Sequence, residues 1–176
     1  MLVAQHAHGV EALWFGDCAA LVKRPDSAVE LIGEALEKRR KEAQRAARLA
    51  EKHGIAPATD VNRPQILDAL RKARNYVNTD GHWAFGPNVR AADHVNSATL
   101  DVPKGTLILL CSDGFLALAS DYNAYDTDAL MAAAVGKGLA ALGEEARAIE
   151  RNDPEGRKFP RFKTSDDATA LLVRVA

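Results

Sequence analysis

Apolar residues are most concentrated in residues 106–119, TLILLCSDGFLALA. The first six positions are rich in Leu and Ile and follow a Pro-Lys-Gly turn, which predicts a short strand buried on both faces. The apolar pattern stops at Ser112-Asp113-Gly114 and then resumes, so the chain is expected to turn there from the strand into a helix. Asp113 is therefore predicted at the carboxyl end of a buried strand.

Other apolar segments predict further strands. Residues 10–23 are predicted to form two strand halves interrupted at Gly16-Asp17, where the glycine suggests a bulge or a close backbone approach. Asp17 is either a functional acid or, as we favour, a structural acid that hydrogen-bonds the backbone at this kink. Three more strands are predicted at residues 82–85, 97–102 and 168–175.

Three helices are predicted between these strands. A capping-box pattern, SAVE at residues 27–30, predicts a helix that continues to His53 and is ended by Gly54. A second helix is expected to begin at residues 62–64, where a proline suits the first turn. A third covers residues 129–149; its three glycines each weaken a helix by about 1 kcal/mol, so it is either held by packing or broken into two.

The predicted elements together define a fold class. Their order is strand, two helices, several strands, helix and strand, which indicates an α+β fold with helices packed on a mostly antiparallel sheet. The first helix also carries a basic run, KRRK at residues 38–41. Such a face could bind an anionic partner, but glutamates interleave with it, so a solvated helix surface is favoured.

Composition narrows the classes of protein further. The 176 residues suffice for one domain with a core, and 47% hydrophobic with 27% charged residues is ordinary for a globular protein. A net charge of −1 gives no reason to expect binding to nucleic acid or an anionic membrane. Neither a membrane span nor an export signal is visible, so a cytoplasmic location is expected. Cys18 and Cys111 lie in apolar runs and are expected to be buried, reduced thiols.

A second acid has a setting similar to that of Asp113. Asp166 lies in the sequence SDDAT, directly before the last predicted strand. An ionised carboxylate at the mouth of a core is unfavourable unless a positive group pairs with it. Mg²⁺ and Mn²⁺ prefer carboxylate and water oxygens, and they make a bound water more acidic. On the residues alone, a metal site and simple turn-capping roles both remain open for Asp113 and Asp166.

Three sequence blocks resemble one enzyme family. LLCSDGFLAL is similar to the Ser-Asp-Gly strand-end motif of the metal-dependent type 2C (PPM) serine/threonine protein phosphatases. SDDATALLVRV resembles the closing motif of that family, and WFGDCAALV resembles its Gly-Asp-Ser strand, with Cys18 in place of the serine. NTDGHWAFGP and AADHVNSATLDVPKG are similar to the corresponding region of bacterial members.

The resemblance implies a fold, a cofactor and a reaction. It implies a β-sandwich flanked by helices, with two Mn²⁺ or Mg²⁺ ions at one end of the sheets and a metal-bridging water that attacks a phosphoserine or phosphothreonine ester. Asp113 and Asp166 would be metal ligands, and no catalytic residue is implied beyond the metal-bound water. Asp167 stands where the family has Asn or Asp, and Asp17 matches a mainly structural aspartate. The implied partner is a phosphoprotein substrate.

The chain also departs from the family pattern. The acidic motif on the first strands, the Asp-Gly-x-Gly motif and an early phosphate-binding arginine are not found, and Gly81-His82 comes after the Gly-Asp-Cys strand, in the wrong order. Residues 1–176 are therefore expected to be a single domain, the C-terminal portion of a type 2C phosphatase-like domain. Open sheet edges would then favour a homo-oligomer.

Two rival interpretations remain. One is a catalytically silent phosphatase-like module that binds a regulatory protein partner. The other is a non-enzymatic α+β domain whose acids cap turns.

Overall fold

Two antiparallel sheets form the framework of the computed structural model, which describes residues 1–6, 9–58, 67–79 and 83–176. The described strands are β1 (Leu2–His6), β2 (Gly9–Trp14), β3 (Ala19–Lys23), β4 (Glu30–Ile32), β5 (Asn96–Leu100), β6 (Leu107–Cys111) and β7 (Ala170–Arg174). The described helices are α1 (Ala35–His53), α2 (Leu67–Asn75), α3 (Asp113–Ser120), α4 (Thr127–Gly136) and α5 (Leu139–Asn152), with a 3₁₀ helix at Val89–His94. One sheet has the strand order β1-β2-β5 and the other β4-β3-β6-β7.

The two sheets share one hydrophobic cluster. Side chains from β2 and β5, among them Val10 and Leu100, pack with Ala20, Val22 and Ile108 from the other sheet. Because side chains alternate along a strand, one face of β3 and β6 is turned to this cluster and the other face is turned to the helices. The described fold is thus mixed α and β with two antiparallel sheets, in agreement with the α+β prediction.

The helices cover the other face of the four-stranded sheet. Leu21 of β3 and Leu109 of β6 are fully buried there, in a cluster with Leu116, Leu130 and Leu142 of three helices. The prediction of a strand buried on both faces is confirmed for β6, because Leu109 is buried in the cluster with the helices and Ile108 in the cluster shared by the two sheets. The turn from this strand into a helix is also confirmed, because α3 begins at Asp113.

At Gly16 the chain crosses from one sheet to the other. β2 ends at Trp14 in the three-stranded sheet, and β3 begins at Ala19 in the other. Gly16 has a φ of +70°, a conformation that other residues rarely adopt. The prediction of two strand halves is confirmed, and the interruption allows the chain to change layers.

The predicted start of the first helix is wrong. Residues 30–32 form β4, which pairs with β3, and α1 begins only at Ala35. The Ser27 hydroxyl lies 3.2 Å from the Arg24 carbonyl oxygen, and Glu30 forms an ion pair with Arg24. Pairing with a buried strand outweighs the local helix signal, as tertiary contacts commonly do. The predicted end is confirmed, since Gly54 caps the helix with a φ of 61°.

The third predicted helix is broken into two. α4 and α5 are separated by Lys137 and Gly138, and Gly138 has a φ of +86°. Of the two possibilities left open by the glycines, the break is the one observed. The predicted start of the second helix, residues 62–64, lies outside the described residues, as do Gly81 and His82; residues 83–85 are described and are not a strand.

Both cysteines are free thiols. Cys111 is buried and Cys18 is half-buried. Burial, with a smaller contribution from Cys18, raises the pKa of Cys111 to about 12, so this thiol stays protonated near neutral pH and is not a nucleophile.

Among the described helices, none is both long and apolar enough to cross a membrane.

The last strand lies at a sheet edge. In the described sheet β7 has β6 on one side and no strand on the other. Leu171 is 55% exposed and Val173 is 40% exposed. Edge strands of this kind are the places where sheets add further strands.

A close approach of backbone to backbone yields a test of the fold. A Cβ atom on Gly114 would lie 2.4 Å from the carbonyl oxygen of Asp167, so Gly114→Ala should push α3 away from the segment before β7. We expect a loss of about 1–3 kcal/mol in the free energy of unfolding, measured by urea denaturation. Gly143→Ala, within α5 and with open space around it, is the matched control and should stabilise by about 0.5–1 kcal/mol. Equal effects of the two substitutions would contradict the described contact.

Candidate functional site

The two predicted acids come from the ends of neighbouring strands. β6 and β7 pair antiparallel, with Cys111 opposite Ala170. Since the strands run in opposite directions, the chain leaving β6 meets the chain entering β7 at one end of the sheet. Asp113 follows β6 and Asp166 precedes β7, so both lie at this end. The pairing of these two strands places together acids that are far apart in sequence.

Residues on both sides of Asp113 fix its position. The Ser112 amide donates to the carbonyl oxygen of Thr169 at 2.9 Å. The Ser112 hydroxyl lies 3.2 Å from the carbonyl oxygen of Asp167 and accepts the Thr169 amide at 3.0 Å. On the other side, Gly114 lies directly against the Asp167 backbone. The Ser-Asp-Gly sequence therefore joins the start of α3 to the segment that carries Asp166.

A buried arginine from α1 lies between the acids. The Arg39 side chain is 7% exposed, and its Nη1 is 3.1 Å from Asp113 Oδ2 and 3.8 Å from Asp166 Oδ2. Its Nε donates to Asp121 Oδ2 at 3.0 Å, and Nη1 is also 3.7 Å from Glu42. One guanidinium thus contacts four carboxylates. The contacting oxygens of Asp113 and Asp166 can be no farther apart than the sum of their two contacts, about 7 Å.

These side chains surround an acidic pocket. Its volume is about 150 Å³, and its described lining includes five carboxylates and three cations. The carboxylates are Asp17, Glu42, Asp113, Asp121 and Asp166, and the cations are Arg39, Arg161 and Lys163. Lys163 donates to Asp166 Oδ1 at 2.5 Å. Asp17, for which a structural role was favoured, therefore faces the same pocket as the two predicted ligands.

Negative charge in the pocket is only partly compensated. Burial raises the pKa of Asp113, and the charges of Asp17 and Asp166 raise it further, against the opposing effect of Arg39. Burial likewise raises the pKa of Glu42. Burial disfavours the charge on Arg39, but Asp121, Glu42 and Asp113 together outweigh it, and the pKa of Arg39 is raised. A pocket in which carboxylates repel one another in this way favours an additional cation.

Two residues of the pocket, Arg39 and Asp121, are not singled out by the sequence. Arg39 belongs to the KRRK run, for which the sequence favours a solvated face, and Asp121 lies in none of the motifs. Once the helix start is corrected, Arg39 shares a face with Ala35, Ala46 and Ala50, which are buried. That line of alanines is the signal that could have separated Arg39 from its exposed neighbours, because small residues permit close helix packing.

The segment that carries Asp166 is held by a network of hydrogen bonds to charged side chains. Arg147 of α5 donates to the Asp166 carbonyl oxygen and to the Ser165 hydroxyl. Earlier in the segment, Asp153 accepts the amide of Phe159 at 2.9 Å and the Arg161 guanidinium at 3.0 Å. The Asp166 backbone is therefore anchored to α5, while its carboxylate is turned to the pocket.

The donor types in the pocket fit the hydrated cation that the resemblance implies. Mg²⁺ is commonly held by one or two carboxylates and keeps several waters, and Asp113 and Asp166 supply two carboxylates. The excess of five carboxylates over three cations in the described lining favours the same kind of ion. Within the described part of the chain, no three His, Cys, Asp or Glu side chains are grouped to hold a metal ion.

An apolar cavity adjoins the acidic pocket. Its volume is about 860 Å³, and Asp17 lines both spaces. Its other lining residues include Trp14, the last residue of β2, and Phe15, together with Phe85 and Val89, which are largely exposed. Cavities of this size and character accommodate apolar groups of a ligand.

Comparisons with known proteins do not assign a family. Family models, curated proteins and solved structures gave no match to the chain. The likeness to type 2C phosphatases therefore rests on the short sequence blocks described above.

The anchoring network yields a pH-dependent prediction. Burial opposes ionisation of Asp153, but the amides of Phe159 and Lys158 and the Arg161 guanidinium outweigh it and lower the pKa of Asp153. A carboxylate with a lowered pKa stabilises the fold above its unfolded value, near 3.9, and this stabilisation is lost as pH falls through the folded value. Asp153→Asn should therefore cost about 1–3 kcal/mol at pH 7 and progressively less below about pH 4.

Urea denaturation across this pH range tests the prediction. Asp93→Asn removes an exposed carboxylate and should change the free energy of unfolding by less than about 0.5 kcal/mol. A destabilisation by Asp153→Asn that is equally large at pH 3 and pH 7 would show that its carboxylate charge is not the cause.

Proposed function

We propose that this chain is a type 2C-like phosphatase domain that hydrolyses phosphoserine and phosphothreonine esters with the help of Mn²⁺ or Mg²⁺. The observation that carries the proposal is the convergence of Asp113 and Asp166 on one acidic pocket. The two motifs most similar to the family contribute one acid each: Asp113 follows β6 and Asp166 precedes β7, and these two strands are paired. The family assignment, the cofactor and the substrate class are parts of the proposal.

Each residue has a role that follows from its position. Asp113 and Asp166 would hold the cation through carboxylate oxygens, which divalent ions of this class prefer. When bound, the cation would supply Lewis-acid activation and neutralise charge on a phosphate ester. Ser112 and Gly114 keep Asp113 in place through their contacts with the chain before β7. Lys163, beside Asp166 at the exposed side of the pocket, attracts an anionic substrate.

The apolar cavity supports a protein substrate. It meets the acidic pocket at Asp17, so an extended peptide could place apolar side chains in the cavity while its phosphate reaches the acids. A small phosphate ester would leave this cavity unused. Binding energy from such remote contacts is a common source of selectivity for one class of substrate.

A second candidate function is a catalytically silent module of the same fold. The contact of Arg39 with both Asp113 and Asp166 favours it, because a guanidinium at this place already provides the acids with a positive partner. In that case the pocket would be a structural ion-pair centre, and the apolar cavity would serve a regulatory protein partner. The two functions differ in whether the chain turns over a phosphate ester.

Hydrolysis of para-nitrophenyl phosphate and of a phosphothreonine peptide tests the first function. We expect turnover with Mn²⁺ and none above background with EDTA. Asp113→Asn and Asp166→Asn should each lower kcat/KM about 100-fold or more, because removal of a ligand forfeits several kcal/mol of charge stabilisation.

Asp167→Asn is the matched control. Asp167 is the neighbouring acid, its side chain is exposed, and the contacts described above use its backbone. It should keep activity within about threefold of the parent. Turnover that survives Asp113→Asn would rule out the proposed site, and a folded chain without turnover at any Mn²⁺ concentration would favour the silent module.

A further inference from the structure

We infer that Arg39 is a built-in counter-ion that competes with a divalent cation for Asp113 and Asp166, an inference that rests on the proposed function of the same pocket. Arg39 thereby sets how tightly the site binds metal. The protein would exist in two forms, one with the guanidinium on the two acids and one with the metal on them. The affinity for metal would then depend on a residue that is not itself a ligand.

The distances place the guanidinium and a bound ion in competition for the same two acids. Nη1 of Arg39 contacts Oδ2 of Asp113 and Oδ2 of Asp166 at 3.1 and 3.8 Å. A divalent ion about 2.1 Å from either oxygen would lie within about 6 Å of this nitrogen. Two cations at such a separation in a half-buried pocket repel each other strongly. They would also compete for lone pairs of the same oxygens, so the guanidinium has to leave before the ion can use both acids.

The arrangement of Arg39 provides an anchor about which it could move. Its Nε is fixed to Asp121 at 3.0 Å, and Asp121 in turn accepts the Ser120 hydroxyl at 2.6 Å. Both Arg39 and Asp121 have side chains that are 7% exposed. The Nη1 end reaches the half-buried Asp113 and Asp166 instead. Loss of these two contacts would leave the ion pair with Asp121 in place, so the arginine keeps a buried partner in both states.

The neighbours of Arg39 on α1 support a specific role for its charge. Arg40 is exposed, and Lys38 donates to the carbonyl oxygen of Gly16 at 3.0 Å. Glu42 also faces the pocket and lies 3.7 Å from Nη1 of Arg39, so it would attract either cation. Arg39 is thus the member of the KRRK run whose charge acts directly on the two acids.

Calorimetric titration of the full chain with MnCl₂ tests the inference without measuring activity. Arg39→Met removes the charge and keeps an apolar stem of similar reach, and it should lower the Kd for Mn²⁺ at least about tenfold. Arg39→Lys keeps the charge but replaces the guanidinium, which contacts several acids, by one ammonium, so it should lower the Kd less than Arg39→Met does. Arg40→Met removes a charge from the adjacent, exposed position and should change the Kd less than about twofold.

A second variant guards against loss of the fold. Arg39→Met leaves the buried Asp121 without its arginine, so Arg39→Met/Asp121→Asn, which neutralises both partners, is titrated as well. Near-ultraviolet circular dichroism checks that each variant is folded. Tighter Mn²⁺ binding by either variant, abolished when Asp113→Asn is added, supports the inference.

The remaining outcomes overturn it in distinguishable ways. If neither Arg39→Met nor the double variant binds Mn²⁺ more tightly than the parent, and binding is lost with Asp113→Asn, the proposed cation site survives and the competition is refuted. Weaker binding by both variants would show in addition that the arginine supports the metal. If neither the parent nor any folded variant binds Mn²⁺, both the inference and the proposed cation-dependent function fail.

Discussion

The antiparallel ladder between β6 and β7 is the constraint on which the candidate site depends. Its register, with Cys111 opposite Ala170, determines which residues meet beyond the ends of the two strands. A shift by one residue would turn every side chain of β7 to the opposite face. The contacts of Ser112 and Gly114 with the chain before β7 fix this register at the end where the acids lie. The backbone pairing of β6 and β7 thus determines which charged side chains meet in the pocket.

A concentration of carboxylates at one end of a sheet is unfavourable for folding unless cations compensate it. Here Arg39 provides part of that compensation from a different element, α1, and contacts four acids at once. Buried ion pairs of this kind contribute little net stability, but removal of one partner is strongly destabilising. The same acids therefore have two requirements. They must be available for chemistry, and their charges must be compensated so that the protein folds.

The sequence was most informative where local and tertiary preferences agree. The strand at residues 107–111, the helix start at Asp113 and the cap at Gly54 follow from patterns within a few residues. The capping pattern at residues 27–30 predicts a helix start that is not observed, because residues 30–32 form β4 and pair with β3. Asp113 and Asp166 could be singled out as acids at strand ends, but their proximity depends on β6 and β7 being neighbours. The burial of Arg39 depends on how α1 packs against the rest of the fold. The sequence KRRK does not show which of its four basic residues is buried.

The position of β7 at a sheet edge has a consequence for the dynamics of the site. In the described sheet this strand has one neighbour, and Leu171 and Val173 are partly solvated. Such elements open more readily than central strands, by local unfolding that leaves the remaining fold intact. Fraying of β7 would remove one support of Asp166 and leave its backbone held by Arg147 of α5, so the two acids could move apart while the helices stay packed. A bound ligand that bridges α3 and the chain before β7 would suppress this opening, and hydrogen exchange of the β7 amides would slow.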